Sequence, residues 1–271
     1  MRKIRPAGHR LSQFILLLLI FLCAALFVWH VSSGEGKETI YQVSVITALM
    51  KGDYDGSMNL RTLREHGDFG IGTFDHLDGE MVELDSKFYQ VKSDGRVYIA
   101  GDSVMTPFSM VTFFFPDKTI LLNKPMDFEG LVKFIDMNIP TKNIPYAIKV
   151  DGNFNYVKTR SVPRQEKPYS ELAAVVKDQA IFGLHDIKGT LVAFRVPEYA
   201  KGINAAGYHM HFLSADRKSG GHVLQCNIIS GKIEIDHTDQ FHVTLPDKRG
   251  FYGLDLSQEE KAAIDKVEKG T

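Results

Sequence analysis

The residues of this sequence best placed to do chemistry together are His209, His211 and His222, in the stretch GYHMHFLSADRKSGGHVLQC from Gly207 to Cys226. On an extended strand, side chains two apart leave the same face, so the Cα atoms of His209 and His211 stand about 6.6 Å apart and their rings can close on one point. The segment SADRKSGG has loop composition, and a hairpin centred between Asp216 and Arg217 sets His222 directly across from His211. Three imidazole nitrogens then converge. Neutral imidazole suits zinc and other divalent first-row metals, and three protein ligands with open positions describe a catalytic site better than a closed structural one. Tyr208, Met210 and Phe212 alternate with the histidines and face a core.

A lone His-x-His pair arises often by chance. The third histidine, heading a second apolar strand after a Gly-Gly turn, favours a metal over three satisfied core histidines. The spacing touches the cupin pattern, but that pattern wants a Glu shortly after the second His, where this chain has Ser214, Ala215 and Asp216, and Asn227 falls one place too late for its second motif. The stretch resembles the α-acetolactate decarboxylase family, whose metal histidines stand in this H-x-H-x10-H arrangement. Similar family segments are GIGTFDHLDGEMVELDSKFYQV from Gly70, TPFSMVTFF from Thr106, YAIKVDGNFNYVKTRSVPRQEKPY from Tyr146 and KGTLVAF from Lys188, so the resemblance covers nearly everything after about residue 41.

The resemblance implies metal-dependent decarboxylation of 2-acetolactate (2-hydroxy-2-methyl-3-oxobutanoate) to (R)-acetoin and CO2 by a homodimer, with zinc as the Lewis-acid electron sink for an enediolate. It also carries three catalytic residues over to Glu80 in LDGEM, Arg160 in VKTRSVP and Glu268 near the C-terminus, and Thr73 in GIGTF as a candidate substrate contact. Taken alone, Glu80 reads as a turn-exit carboxylate, Arg160 as half of a surface salt bridge and Glu268 as part of a solvated helix face. An arginine beside a metal makes physical sense when it meets an anion, which a keto-acid substrate supplies. Two readings from other classes stay open: a cupin-like metal hydrolase or oxygenase, and a non-catalytic metal-binding envelope protein.

The elements that must position these residues follow from composition and pattern. A chain of 271 residues, 44% hydrophobic, can build one large core or two modest ones, and two domains are expected. Lys plus Arg (32) nearly balance Asp plus Glu (33), so no global field draws it to nucleic acid, and a small-molecule substrate is expected. With only two cysteines, Cys23 and Cys226, no disulfide framework follows. Arg2, Lys3, Arg5 and Arg10 head an apolar run from Phe14 to Trp29, and small residues follow at Val31-Ser32-Ser33. Residues 1–33 therefore read as a cleaved signal peptide, with an uncleaved membrane anchor as the alternative. The protein is then exported, secreted or attached to the cell envelope, and meets a membrane only through this segment.

Short alternating runs outnumber helical ones. The expected fold is α/β (α+β), with two domains of mostly antiparallel or mixed β-sheet, few helices and the metal site in the interdomain region. Residues 34–155 are expected as a mixed-sheet domain and 156–271 as a β-rich domain carrying the metal hairpin and a C-terminal helix. The boundary is set near a hairpin about Asp151-Gly152. EMVEL, KFYQV and RVYIA read as a meander turning at Asp85-Ser86 and Ser93-Asp94-Gly95, DFEGLVKFIDMN as a helix capped by Asp127, and SELAAVVKDQ as another. Ser257 with Glu260 reads as a capping box for SQEEKAAIDKVEK, whose apolar face is Ala262, Ile264 and Val267. His66, His76, His185, His237 and His242 lack a partner at metal spacing and read as surface or core residues.

Overall fold

The computed structural model describes residues 38–257 and 261–269. The leader expected over residues 1–33 lies outside them, as does Glu260 of the expected capping box. Residues Glu38–Thr271 form one compact unit. Its strands are β1 (Thr39–Val43), β2 (Met58–Asn59), β3 (Phe69–Thr73), β4 (Glu80–Leu84), β5 (Lys87–Val91), β6 (Val97–Ile99), β7 (Met105–Thr106), β8 (Ser109–Thr112), β9 (Lys118–Leu122), β10 (Met126–Asp127), β11 (Tyr146–Ser161), β12 (Ala180–Val196), β13 (Gly207–Ser214), β14 (Gly220–His237) and β15 (Gln240–Thr244). The helices are short: α1 (Ile46–Met50), α2 (Leu60–Leu63), α3 (Phe128–Asp136), α4 (Leu172–Val175), α5 (Arg249–Tyr252) and α6 (Lys261–Lys269).

Seven strands form one sheet in the order β15-β1-β8-β3-β4-β5-β6, antiparallel except for the β1–β15 pair. A second sheet runs β10-β14-β11-β12-β13, with β9 also on β14. Over Gly220–His222, β14 pairs with β13 as well, so this sheet curls back on itself at one end. The two sheets pack face to face: Ile71, Val82 and Met110 of the first share a buried cluster with Val192, Phe194 and Leu213 of the second. On the far side of the second sheet, α3 seals another core with Leu131 and Ile135. Asp127 caps that helix as expected, its Oδ1 accepting the Gly130 amide at 2.8 Å.

The meander β4-β5-β6 is present, and Asp85 and Ser86 take the positive φ values of 53° and 59° that a tight hairpin turn requires. The hairpin expected about Asp151-Gly152 is not. Residues Tyr146–Ser161 make one strand that pairs on both edges, so the boundary expected at 155/156 falls inside β11. Gly152 stands in register with Gly189 of β12 and Gly231 of β14, and a Cβ on it would lie 2.8 Å from Ile228 Cδ1. These glycines let long strands bend and approach closely; they do not turn the chain. The halves of the chain also interleave, because β15 joins the first sheet while β9 and β10 join the second. The expected helix over SELAAVVKDQ shrinks to α4 plus a 3-10 turn, Val176–Asp178.

Candidate active site

The histidine hairpin forms with the register that alternation and loop length require: His211 pairs with His222, Phe212 with Gly221 and Leu213 with Gly220. Met210 and Phe212 point into the core under α3, and Leu213 points toward the seven-stranded sheet, so His209 and His211 face that sheet too. Ser214 ties the turn, its Oγ donating to Asp216 Oδ1 at 2.6 Å and accepting from the amides of Lys218 and Ser219. Gly221, at φ +128°, lets β14 pass β11 so closely that a Cβ there would lie 2.5 Å from Arg160 O. His222 is thereby flanked on one side by His211 and on the other by Arg160, its register partner on β11.

The ring nitrogens meet at close range. His209 Nε2 lies 3.2 Å from His211 Nε2 and 3.1 Å from His222 Nδ1. His211 Nδ1 lies 2.6 Å from Met81 O and His222 Nε2 lies 2.8 Å from Glu268 O. A carbonyl can only accept, so these outer nitrogens carry the protons and donate, which leaves His211 Nε2 and His222 Nδ1 as bare lone pairs. His209 Nδ1 faces Glu268 Oε2 at 3.3 Å without the alignment of a hydrogen bond, and the carboxylate favours the proton on that nitrogen. Burial holds all three rings neutral: His209 is pushed down to about 3, and His211 and His222 well below the usual range.

Three lone pairs thus converge with no donor between them among the described residues, which is unfavourable unless a cation takes them. Nitrogens held about 2.0–2.1 Å from a tetrahedral ion lie about 3.3 Å apart, close to the observed separations. The histidines therefore fit a divalent metal. Tying the outer nitrogens to carbonyls is also how metal-bound histidines are usually oriented.

The other residues carried over by resemblance stand in the same cleft. Arg160 Nη1 donates to Glu80 Oε1 at 3.0 Å, and Glu80 Oε2 lies 3.5 Å from His211 Nε2. Both side chains are buried, and β4 of the first sheet supplies Glu80 while β11 of the second supplies Arg160. Glu268 comes from α6, where Ile264 and Val267 are buried against Leu172 and Val175 of α4. Glu80 is pushed up to about 7 by burial, with Arg160 opposing and Glu268 adding to the rise, and burial, again opposed by Arg160, pushes Glu268 up to about 7 as well. The Thr73 hydroxyl donates to Gly79 O at 2.7 Å and clips the loop that leads into Glu80. Thr73, Glu80, Arg160, His209 and Glu268 line one cleft, whose other wall is apolar: Ile46, Leu49, Leu77, Phe108 and Leu172.

The carbonyls of Met81 and Glu268 escape any sequence reading, since a backbone oxygen carries no residue-type signal. The apolar wall could have been suspected only as generic core. His76 does not join the cleft; its ring lies against Tyr169 and Asp75.

A model of the alpha-acetolactate decarboxylase family matches residues 40–258. The chain is 48% identical over 237 residues to the alpha-acetolactate decarboxylase of Methanosarcina mazei, covering 88% of this chain and 82% of that protein. It is 41% identical to the one from Methylococcus capsulatus, covering 87% and 90%. The crystal structure of alpha-acetolactate decarboxylase from Bacillus subtilis strain 168 superposes with a TM-score of 0.84 at 39% identity, covering 86% of this chain and all of that one.

Proposed function

Because the chain belongs to the alpha-acetolactate decarboxylase family, we propose that it removes CO2 from 2-acetolactate in this cleft, giving (R)-acetoin, with one zinc ion held by His209, His211 and His222. The observation that carries the metal assignment is the meeting of three imidazole lone pairs at separations of 3.1 and 3.2 Å. When bound, such a metal supplies a Lewis acid at the ketone oxygen, where negative charge develops as CO2 leaves.

The chain's own residues do the rest. Arg160 has an Nε without a hydrogen-bond partner among the described residues, and its Nη2 reaches Val267 O only at 3.5 Å. It therefore has donors left for the substrate carboxylate. Thr73 has given its proton to Gly79 O, so toward the cleft it offers an acceptor suited to the substrate hydroxyl. The apolar wall suits the two methyl groups and keeps water away. Cleavage leaves the bonding pair on carbon, and a carboxylic acid on one side must protonate it to fix the handedness of the product. Glu80 and Glu268, both near neutrality in proton affinity, are the candidates for that acid.

The test is to incubate the zinc-loaded protein with acetolactate and follow CO2 and acetoin, before and after a chelator. Acetoin above the spontaneous rate, lost with the metal and restored by zinc, is expected. Bound zinc without turnover would leave a metal-binding protein that is no decarboxylase, and product other than acetoin would favour a cupin-like chemistry. We further propose that the protein acts as a homodimer outside the cytoplasm, secreted or at the cell envelope. Sedimentation of the purified protein and N-terminal sequencing of material from the culture medium test these two points.

A further inference from the structure

Outside the cleft, Glu38, Asp117 and Asp236 each bring a carboxylate oxygen to within 4.8 Å of the others. They come from three places in the chain. Glu38 directly precedes β1, Asp117 lies between β8 and β9, and Asp236 is near the end of β14. Asp236 is fully buried. Its Oδ2 accepts the Phe115 amide at 3.1 Å, but its Oδ1 is buried with no hydrogen-bond partner among the described residues. Asp117 is half-exposed at the rim, where its Oδ2 accepts the His237 amide at 2.8 Å.

A buried carboxylate oxygen with nothing to bond costs free energy that folding does not lightly leave unrecovered. Here the cost is compounded, because burial and the neighbouring carboxyls of Glu38, Asp117 and Asp68 push Asp236 up to about 8. Two arrangements could relieve it: a proton retained on Asp236, or a cation among the oxygens. The three carboxylates converge from separate segments, and the most deeply buried of them, Asp236, keeps one oxygen unpartnered among the described residues, which is a demand that a cation meets.

We propose that Asp236, Asp117 and Glu38 bind one hard divalent cation of the calcium class, at a site separate from the histidine centre. The donors are all oxygen, which suits calcium and not the imidazole-seeking metals, and calcium tolerates water in its remaining positions. The ion would clamp the start of β1, in the seven-stranded sheet, to the end of β14, in the other.

The experiment uses the full protein carrying stoichiometric zinc, freed of other divalent ions, with calcium chloride alone as the probe. Equilibrium dialysis should find one calcium per chain with a Kd in the range of about 10⁻⁴–10⁻³ M, and the melting temperature should rise by several degrees on saturation. Asp236→Asn should abolish both effects while decarboxylation proceeds at the wild-type rate. If that variant does not fold, Asp117→Asn, at the rim, should weaken calcium binding at least tenfold. Absence of calcium binding up to 10-fold above the weaker limit, or undiminished binding in the Asp236→Asn or Asp117→Asn protein, overturns the proposal and leaves a proton on Asp236 as the explanation.

Discussion

His211 and His222 sit directly across from one another in the β13–β14 register, and each hands its outer ring nitrogen to a backbone carbonyl, of Met81 at 2.6 Å and of Glu268 at 2.8 Å. The pairing fixes which nitrogen of each ring is bare. His211→Ala should therefore lose the metal, and turnover with it, falling to the spontaneous rate. Metal analysis beside an acetoin assay checks this, and full occupancy with normal turnover would refute the assignment.

Arg160 is buried at the cleft and bound to Glu80 through Nη1, with its Nε unpartnered among the described residues. Lysine keeps the charge but not the planar fork. Arg160→Lys should retain zinc and drop kcat/KM by about 10²-fold or more, roughly the worth of a charge-assisted bidentate contact. Steady-state kinetics with the metal content measured in parallel will show it.

Glu80→Gln and Glu268→Gln should each keep most of the metal and lose about 10²–10⁴ in rate, the usual cost of a well-placed general acid. In whichever variant lacks the donor, CO2 loss should outrun stereospecific protonation. Chiral analysis of the acetoin against CO2 release reads this out; normal rates and undiminished enantiomeric purity in both variants would exclude both glutamates.

Helix α6 reaches the site through a small apolar seat, Ile264 and Val267. Ile264→Ala should loosen it and so free His222 from its carbonyl partner, weakening zinc retention against a chelator by about 10–100-fold, as loss of an orienting partner usually does. The global unfolding midpoint should move little. Ile264→Val should restore retention.

Glu83 is fully buried with neither carboxylate oxygen partnered among the described residues, and burial, helped by Asp68 and opposed by Arg64, raises its proton affinity well above normal. The folded state then holds a proton that the unfolded chain releases near pH 4.5. Stability from this group is full below that pH and falls as pH rises through the window above it. Glu83→Gln should flatten that fall, gaining stability at pH 7–8 relative to wild type and nothing at pH 4. Urea midpoints across the pH range measure it.

The histidine hairpin was legible in the sequence because its two determinants are local. Alternation on a strand sets which face a side chain leaves from, and loop length sets which residues oppose, so His209, His211 and His222 could be brought together from spacing alone. The meander turns at Asp85-Ser86 and the Asp127 cap were legible for the same reason. Glu80, Arg160 and Glu268 were not readable from pattern, and only resemblance pointed to them. Glu80 and Arg160 meet across 80 residues of chain, and His211 finds the Met81 carbonyl across 130. Such contacts depend on how two sheets stack, and a carbonyl leaves no mark in a sequence. The turn expected at Asp151-Gly152 failed on similar ground: a glycine is equally at home in a turn and in a strand that must pass close to its neighbours, and only the tertiary structure, by setting Gly152 beside Gly189 and Gly231, decided between them.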